Sequence, residues 1–363
     1  MKSTRAAGRM HLQPASDERD SPALTGTARE LQAAYRRAAA AGDPVRMEVE
    51  VAGGRVTVHA AEQAILDRLG PALAHLEALD GSESELRIHV WDSVSAPRAT
   101  PPLPAADPAA PRGAIVYSVD DGFQIAYQPG LGQMSAYDAG SGSGWFWCRD
   151  RDALPFWEPA APFRQVMHWW FAERDVMLLH GAAVGTAEGG VLLVGRGGSG
   201  KSTCALAALD SDLLYAGDDY VAVGLGGSPC VYSVYGSGKL VPDHSRRLPH
   251  LPAPSFAGDG AADEKSIFFV NTAFPERMCA SFPLRAVVAP RVAPGEPVFE
   301  RVGAAVALRA LAPSTLLQLY PARPEALARM AELLRTVPAY TLATGEHIAA
   351  IPGAIARLLE ELP

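Results

Sequence analysis

The stretch "GVLLVGRGGSGKST", residues 190–203, constrains this chain more than any other. Val191 to Val194 form an aliphatic run of buried-strand type, and "KSTCALAAL" behind them reads as a short helix. Between the two, Gly195, Gly200, Lys201 and Ser202 meet the spacing G-x-x-x-x-G-K-[ST]. Glycine is needed in such a loop because backbone N–H groups must turn inward and approach an anion without a Cβ in the way. The lysine reaches outer phosphate oxygens, the Ser202 hydroxyl can sit on Mg²⁺, and the helix starting at Lys201 adds its positive end. A plain glycine-rich turn is the alternative; the strand before the loop and the Ala/Leu helix after it count against that. The candidate nucleotide contacts are therefore Gly195, Gly197, Gly198, Ser199, Gly200, Lys201, Ser202 and Thr203.

Downstream, "LLYAGDDYVAVG" ends a strand on Asp218-Asp219. If this strand runs parallel to the one before the glycine loop, its C-terminal end lies near the phosphates. One aspartate can then hold Mg²⁺ and its neighbour can accept a proton from an attacking hydroxyl. Two adjacent carboxylates repel unless a cation stands beside them, which favours this reading over an Asp-rich turn. Upstream, "LLHGAAVG" places His180 about one strand before the loop; taken alone, a histidine at a strand edge reads as hydrogen-bonded packing. No guanine-reading N-K-x-D and no Ser-Gly-Gly-Gln signature of transporter ATPases occurs in the chain.

With 363 residues the chain can bury two cores. Its net charge of -8 argues against a nucleic-acid partner, and no apolar run is long enough to span a bilayer. Cys148, Cys204, Cys230 and Cys279 are far apart, which fits a reducing cytoplasm better than a disulfide framework or zinc site. Residues 1–25 are polar and patternless and are expected to be a disordered tail. Residues 26–155 read as an α+β domain. Within it lie a helix over 27–42 with a Thr27/Glu30 capping box, a hairpin about Gly53-Gly54, and a helix bent at Gly70-Pro71. The strand "ELRIHVWD", an exposed proline-rich loop at 97–111, a hairpin about Asp120-Asp121-Gly122 and a strand "WFWC" complete it. A helix starting at Pro162 carries Phe163, Trp169, Trp170 and Phe171, expected to dock on the following domain. Residues 156–363 then alternate apolar strands with loops and end in helices.

The order "LLHGAAVG … GVLLVGRGGSGKS … LLYAGDDYV" resembles the HPr kinase/phosphorylase family, over His180 to Val223. That family is similar in core fold to ATP-dependent phosphoenolpyruvate carboxykinase. The trailing "YGSGKL", "EKSIFFV" and "VPAYTLATGEHIAAIPGAIARLLEEL" look more like HPr kinase-related peptide kinases, which accompany lasso-peptide-type biosynthetic clusters. The resemblance implies an α/β P-loop kinase core at 156–363 behind the smaller α+β domain. It also implies ATP on Gly195 to Thr203 and Mg²⁺ on Ser202 and Asp218. Asp219 becomes the catalytic base, with Lys201 and His180 in the catalytic set. Lys239 and Lys265 are nominated to meet phosphoryl charge or an acidic acceptor; their alternative is ordinary solvated lysines. This chain has Thr203 where HPr kinases carry a glutamate, and it lacks their glycine-rich downstream loop. Both departures put phosphorylation of the phosphocarrier protein, and the reverse reaction, in doubt. The expected reaction is phosphorylation of a hydroxyl, foremost a serine of a peptide or small protein. A small-molecule hydroxyl kinase and a non-catalytic ATP-sensing module stay open, as does a homo-oligomer.

Overall fold

Alternating apolar residues build the first half of this chain and aliphatic runs the second, and the two textures become two units. The computed structural model describes residues 26–78, 83–107, 111, 113–120, 122–256, 265–321 and 324–362, with the backbone alone of 13–14 and 243. Contacts divide the chain into Met1–Trp170 and Phe171–Pro363. Apart from 13–14, the tail expected at 1–25 lies outside the described residues, as do Asp121 and part of 97–111. Among the described residues no helix is long and apolar enough to cross a membrane.

The first unit holds an eight-stranded mixed sheet. Its strands are β1 (Gln13–Pro14), β2 (Val45–Val51), β3 (Gly54–Ala60), β4 (Leu86–Asp92), β5 (Val116–Asp120), β6 (Phe123–Gln128), β7 (Gln133–Asp138) and β8 (Ser143–Cys148). They run in the order β1-β2-β3-β4-β8-β7-β6-β5, with β3, β4 and β8 mutually parallel. Helices α1 (Gly26–Ala41), α2 (Gln63–Leu69) and α3 (Arg164–Ala172) accompany it. The β2–β3 turn uses Ala52 and Gly53, both at positive φ, which matches the strand twist; Gly54 already belongs to β3. Since α1 begins at Gly26, Thr27 lies inside its first turn, and the expected capping box does not form. The segment from Pro97 is exposed at Pro97, Arg98, Thr100, Pro102, Ala105 and Asp107, as expected, but Ala99 is buried against α1 and its carbonyl accepts from Trp91 Nε1 at 2.8 Å. Strand β7 went unread in the sequence. Of the aromatics expected to dock on the following domain, two make ring contacts within the first unit, and Phe171 itself belongs to the second. Phe163 sits edge-on to Phe146 and Trp169 lies against Tyr117.

The second unit is a layered α/β structure. Its nine-stranded mixed sheet comprises β9 (Val176–His180), β10 (Ala182–Thr186), β11 (Gly189–Leu193), β12 (Leu214–Gly217), β13 (Tyr220–Gly224) and β14 (Cys230–Tyr232). A separate ribbon pairs β15 (Ser237–Leu240) with β16 (Ser266–Phe269). The large sheet is completed by β17 (Ser281–Arg291), β18 (Val298–Val302) and β19 (Ala339–Ala343). The helices are α4 (Lys201–Ala207), α5 (Pro242–Ser245), α6 (Val270–Ala273), α7 (Ala304–Leu316), α8 (Pro324–Thr336) and α9 (Ile351–Glu361). Period-two alternation splits the core: Val191 and Leu193 face α4 and α9, whereas Leu192 and Val194 face α7 and α8. The expected helical end is interrupted by β19, which pairs parallel to β17. Helix α7 and strands β15 and β18 are further elements that the sequence patterns did not announce.

Candidate active site

Two lines of strand break at the same level, and the break makes the site. Strand β9 passes into β10 through Gly181, and β12 into β13 through Asp218-Asp219. His180 pairs with Tyr220, Ala183 pairs with Gly217, and the Gly181 N–H donates to the Asp219 carbonyl at 3.1 Å. The histidine and both carboxylates therefore meet where two antiparallel strands leave the ladder together. Asp219 achieves this at φ +72°, in the left-handed region, which costs a non-glycine residue about 1–2 kcal/mol. The parallel-strand expectation needs one correction. Strand β10 lies between β11 and β12 and is antiparallel to both, so β11 and β12 run the same way without being neighbours.

The glycine-rich loop joins β11 to α4. Gly195 at φ +148° and Gly200 at φ +105° adopt conformations that side chains disfavour, and a Cβ on Gly195 would lie 2.6 Å from Ser199 Oγ. Ser199 Oγ is buried and has no hydrogen-bond partner among the described residues. Gly197 and Gly198 are exposed, and Thr203 is half-buried on α4. Lys201 folds back under the loop, its ammonium donating to the Gly195 carbonyl at 2.6 Å and the Arg196 carbonyl at 3.4 Å. Only 7% of the residue is exposed; burial pushes its pKa down, against the pull of Asp218 and Asp219.

The carboxylates are held differently. Asp218 is 1% exposed; its Oδ1 accepts from Ser202 Oγ at 3.0 Å and its Oδ2 from the Lys239 backbone N–H at 3.0 Å. Burial and then the charge of Asp219 raise its pKa, opposed by Lys265 and those two hydrogen bonds. Asp219 lies beside His180 Nε2, 3.3 Å from Oδ1, and its Oδ2 accepts from Lys239 Nζ at 2.5 Å. Burial opposes its ionisation, but Lys239, His180 and Lys265 outweigh that and hold the carboxyl well below its usual range. The two neighbours are thus pushed in opposite directions.

His180 is anchored from outside the motifs. Its backbone N–H donates to Thr315 Oγ1 at 3.1 Å, its ring stands edge-on to Tyr220, and the Tyr220 hydroxyl donates to Gln318 Oε1. The His180 Nδ1 is buried with no partner among the described residues. Thr344, also buried, lies against the loop at Gly200. Sequence reasoning missed Thr315, Tyr220, Gln318 and Thr344. Tyr220 alone had a signal, since it directly follows Asp219. Of the nominated lysines, Lys239 touches both aspartates, and Lys265 immediately precedes β16 in the ribbon.

Chemically, the set offers an anion cradle, an ionised carboxylate fixed on two sides, and an oxygen-only pair in Ser202 and Asp218. Among the described residues no cluster of three or more His, Cys, Asp or Glu forms a metal cage. Mg²⁺ uses one or two protein oxygens and keeps phosphate and water ligands, so the Ser202–Asp218 pair suits that ion. The unpartnered Ser199 hydroxyl and the positive φ of Gly195, Gly198 and Gly200, which turns the loop backbone, suit a phosphate chain. No protein-family model matches the chain, and no curated protein matches it. Among solved structures it is similar to the HPr(Ser) kinase/phosphatase from Coxiella burnetii, at 12% identity and a TM-score of 0.29, over 51% of this chain and 94% of that one.

Proposed function

We propose that the chain is an ATP- and Mg²⁺-dependent kinase with an α/β core of the HPr kinase and phosphoenolpyruvate carboxykinase type. In this reading it transfers the γ-phosphate to the hydroxyl of a serine in a peptide or small protein. The observation that carries the proposal is the setting of Asp219. Its carboxylate is held by His180 and Lys239, next in sequence to Asp218, which Ser202 bonds, and within the electrostatic reach of buried Lys201, whose ammonium donates to two loop carbonyls.

In-line phosphoryl transfer asks a protein for positioning and charge neutralisation and for little covalent work. Gly195 to Thr203 bind the phosphates of ATP through backbone N–H groups, and Lys201 turns from its carbonyls to the outer phosphate oxygens. Asp219 takes the proton as the acceptor O–H bond breaks. The acceptor oxygen bonds to phosphorus while the bond from phosphorus to the ADP oxygen opens. His180 and Lys239 fix the carboxylate so that one oxygen faces the incoming hydroxyl. Ser202 and Asp218 would hold Mg²⁺, which when bound neutralises phosphate charge.

The test is ³¹P NMR of the purified chain with Mg²⁺ and ATP, in tubes holding a serine-containing peptide, free serine, or no acceptor. A new phosphomonoester signal in the peptide tube is the expected result. Equal signal from free serine would move the acceptor class to small molecules. ATP bound without any new signal would overturn the kinase reading in favour of a nucleotide-sensing module.

A further inference from the structure

The β15–β16 ribbon sorts its side chains by face. Leu240 and Phe268 enter the apolar core with α4, while Lys239, on the alternate face, reaches Asp219. Lys239 is paired with Ile267 across the ribbon. Lys265 lies one residue outside the paired ladder and two before Ile267, so the strand alternation, continued by one residue, puts it on the face of Lys239 as a diagonal neighbour. Its charge is felt by Asp218, Asp219 and Lys201 alike.

The three lysines of the site differ in what they already hold. Lys201 binds the carbonyls of Gly195 and Arg196, and Lys239 binds Asp219. Lys265 is half-buried, and among the described residues no hydrogen bond or ion pair answers it. A cation partly withdrawn from water, beside a carboxylate already taken by another lysine, is placed to receive an anion from outside. The nucleotide has its own cradle in the glycine-rich loop. In-line geometry brings the acceptor oxygen in opposite the leaving ADP, on the side of the base, and the base is where this ribbon face stands. Resting on the kinase reading above, we propose that Lys265 binds an anionic group carried next to the acceptor hydroxyl, so that the preferred acceptor is a serine flanked by acidic side chains. With a net charge of -8 the chain repels acidic peptides at long range, so the preference is local to Lys265.

The experiment is fluorescence anisotropy of the full chain with Mg²⁺ and ADP, using a labelled peptide whose single serine is followed by two glutamates. The same peptide with two glutamines, and with two lysines, serves as comparison. The acidic peptide is expected to bind about tenfold tighter than the neutral one, the worth of one charge-assisted hydrogen bond. K265Q removes that ratio, K265R keeps it, and K265E turns it toward the basic peptide. Equal binding of acidic and neutral peptides by the wild-type chain overturns the proposal. So does a K265Q variant whose ADP affinity falls tenfold with the acidic preference intact, which would assign the cation to the nucleotide. Because the readout is binding, it stands apart from turnover. Acidic preference without any phosphoryl transfer would sink the kinase reading and leave the anion site standing.

Discussion

Both units bury ionisable groups, yet they treat them differently. In the first, the Arg151 guanidinium donates to Asp92 at 2.9 Å and also to Glu62 and Ser95, so the fully buried Asp92 carboxylate is answered within the unit. His59 and His89 stack with centroids 5.3 Å apart; burial pushes His59 down to about 4 and His89 well below its ordinary value, so both are neutral at pH 7. In the second unit, Asp219 stands in left-handed backbone, and Ser199 Oγ, His180 Nδ1 and Lys265 lack hydrogen-bond partners among the described residues. Buried atoms without a hydrogen bond occur in the first unit too, Arg87 Nε and Gln133 Oε1 among them, so the difference lies in the gathering of those of the second unit around one carboxylate pair and one glycine-rich loop. Polar groups that close upon one another stabilise a fold. Polar groups gathered at one level with capacity to spare mark a place where something else binds.

That contrast breaks most sharply at Lys201. Lys201→Ala is expected to cut phosphoryl transfer by about 10²–10³-fold, as loss of a preorganised charge donor does. Phosphoryl transfer by the variant at the wild-type rate, followed as the phosphomonoester signal by ³¹P NMR, would contradict this. A smaller effect comes from the first unit's histidines. Folded His59 and His75 titrate at about 4 against 6.5 in the unfolded chain, so the unfolded state takes up protons first as pH falls. Their stabilising contribution is complete above pH 6.5 and is lost as pH drops toward 4. At pH 5 the loss is about 2 kcal/mol for His59 alone. Tryptophan-detected urea midpoints that agree at pH 7 and pH 5 would contradict this. The smallest effect belongs to Thr315, which is 3% exposed. Thr315→Val leaves the His180 N–H without its acceptor and should cost about 1–2 kcal/mol, read as faster amide exchange at His180. Thr315→Ser should restore protection, and unchanged exchange in the valine variant would remove Thr315 from the account.

Much of the site was legible because its residues sit at strand ends with spacing that few other arrangements demand. The glycine-rich loop follows a strand and opens a helix, and Asp218-Asp219 ends β12 beside it. The inference about strand direction reached the right place although β10 intervenes, since two antiparallel pairings restore the original direction. Thr315 and Gln318 were not legible: they come from α7, whose contact with the site is set by tertiary packing across more than ninety residues. Strands β7, β15 and β19 escaped for a different reason. "QMSAYD", "SGKL" and "AYTLA" are short and mix polar or small residues, so periodicity had too few positions to register. The Thr27 capping box failed because Thr27 is already helical in α1, which includes Gly26, two residues before the start that a Thr27 cap would give.

The most direct test of the central claim compares wild type with Asp219→Asn at matched ATP occupancy, following the phosphomonoester signal by ³¹P NMR. Asparagine keeps the shape and removes the proton acceptor. If Asp219 is the base, the variant still binds Mg²⁺ and ATP but transfers phosphate about 10²–10⁴-fold more slowly. Transfer at the wild-type rate would contradict the account.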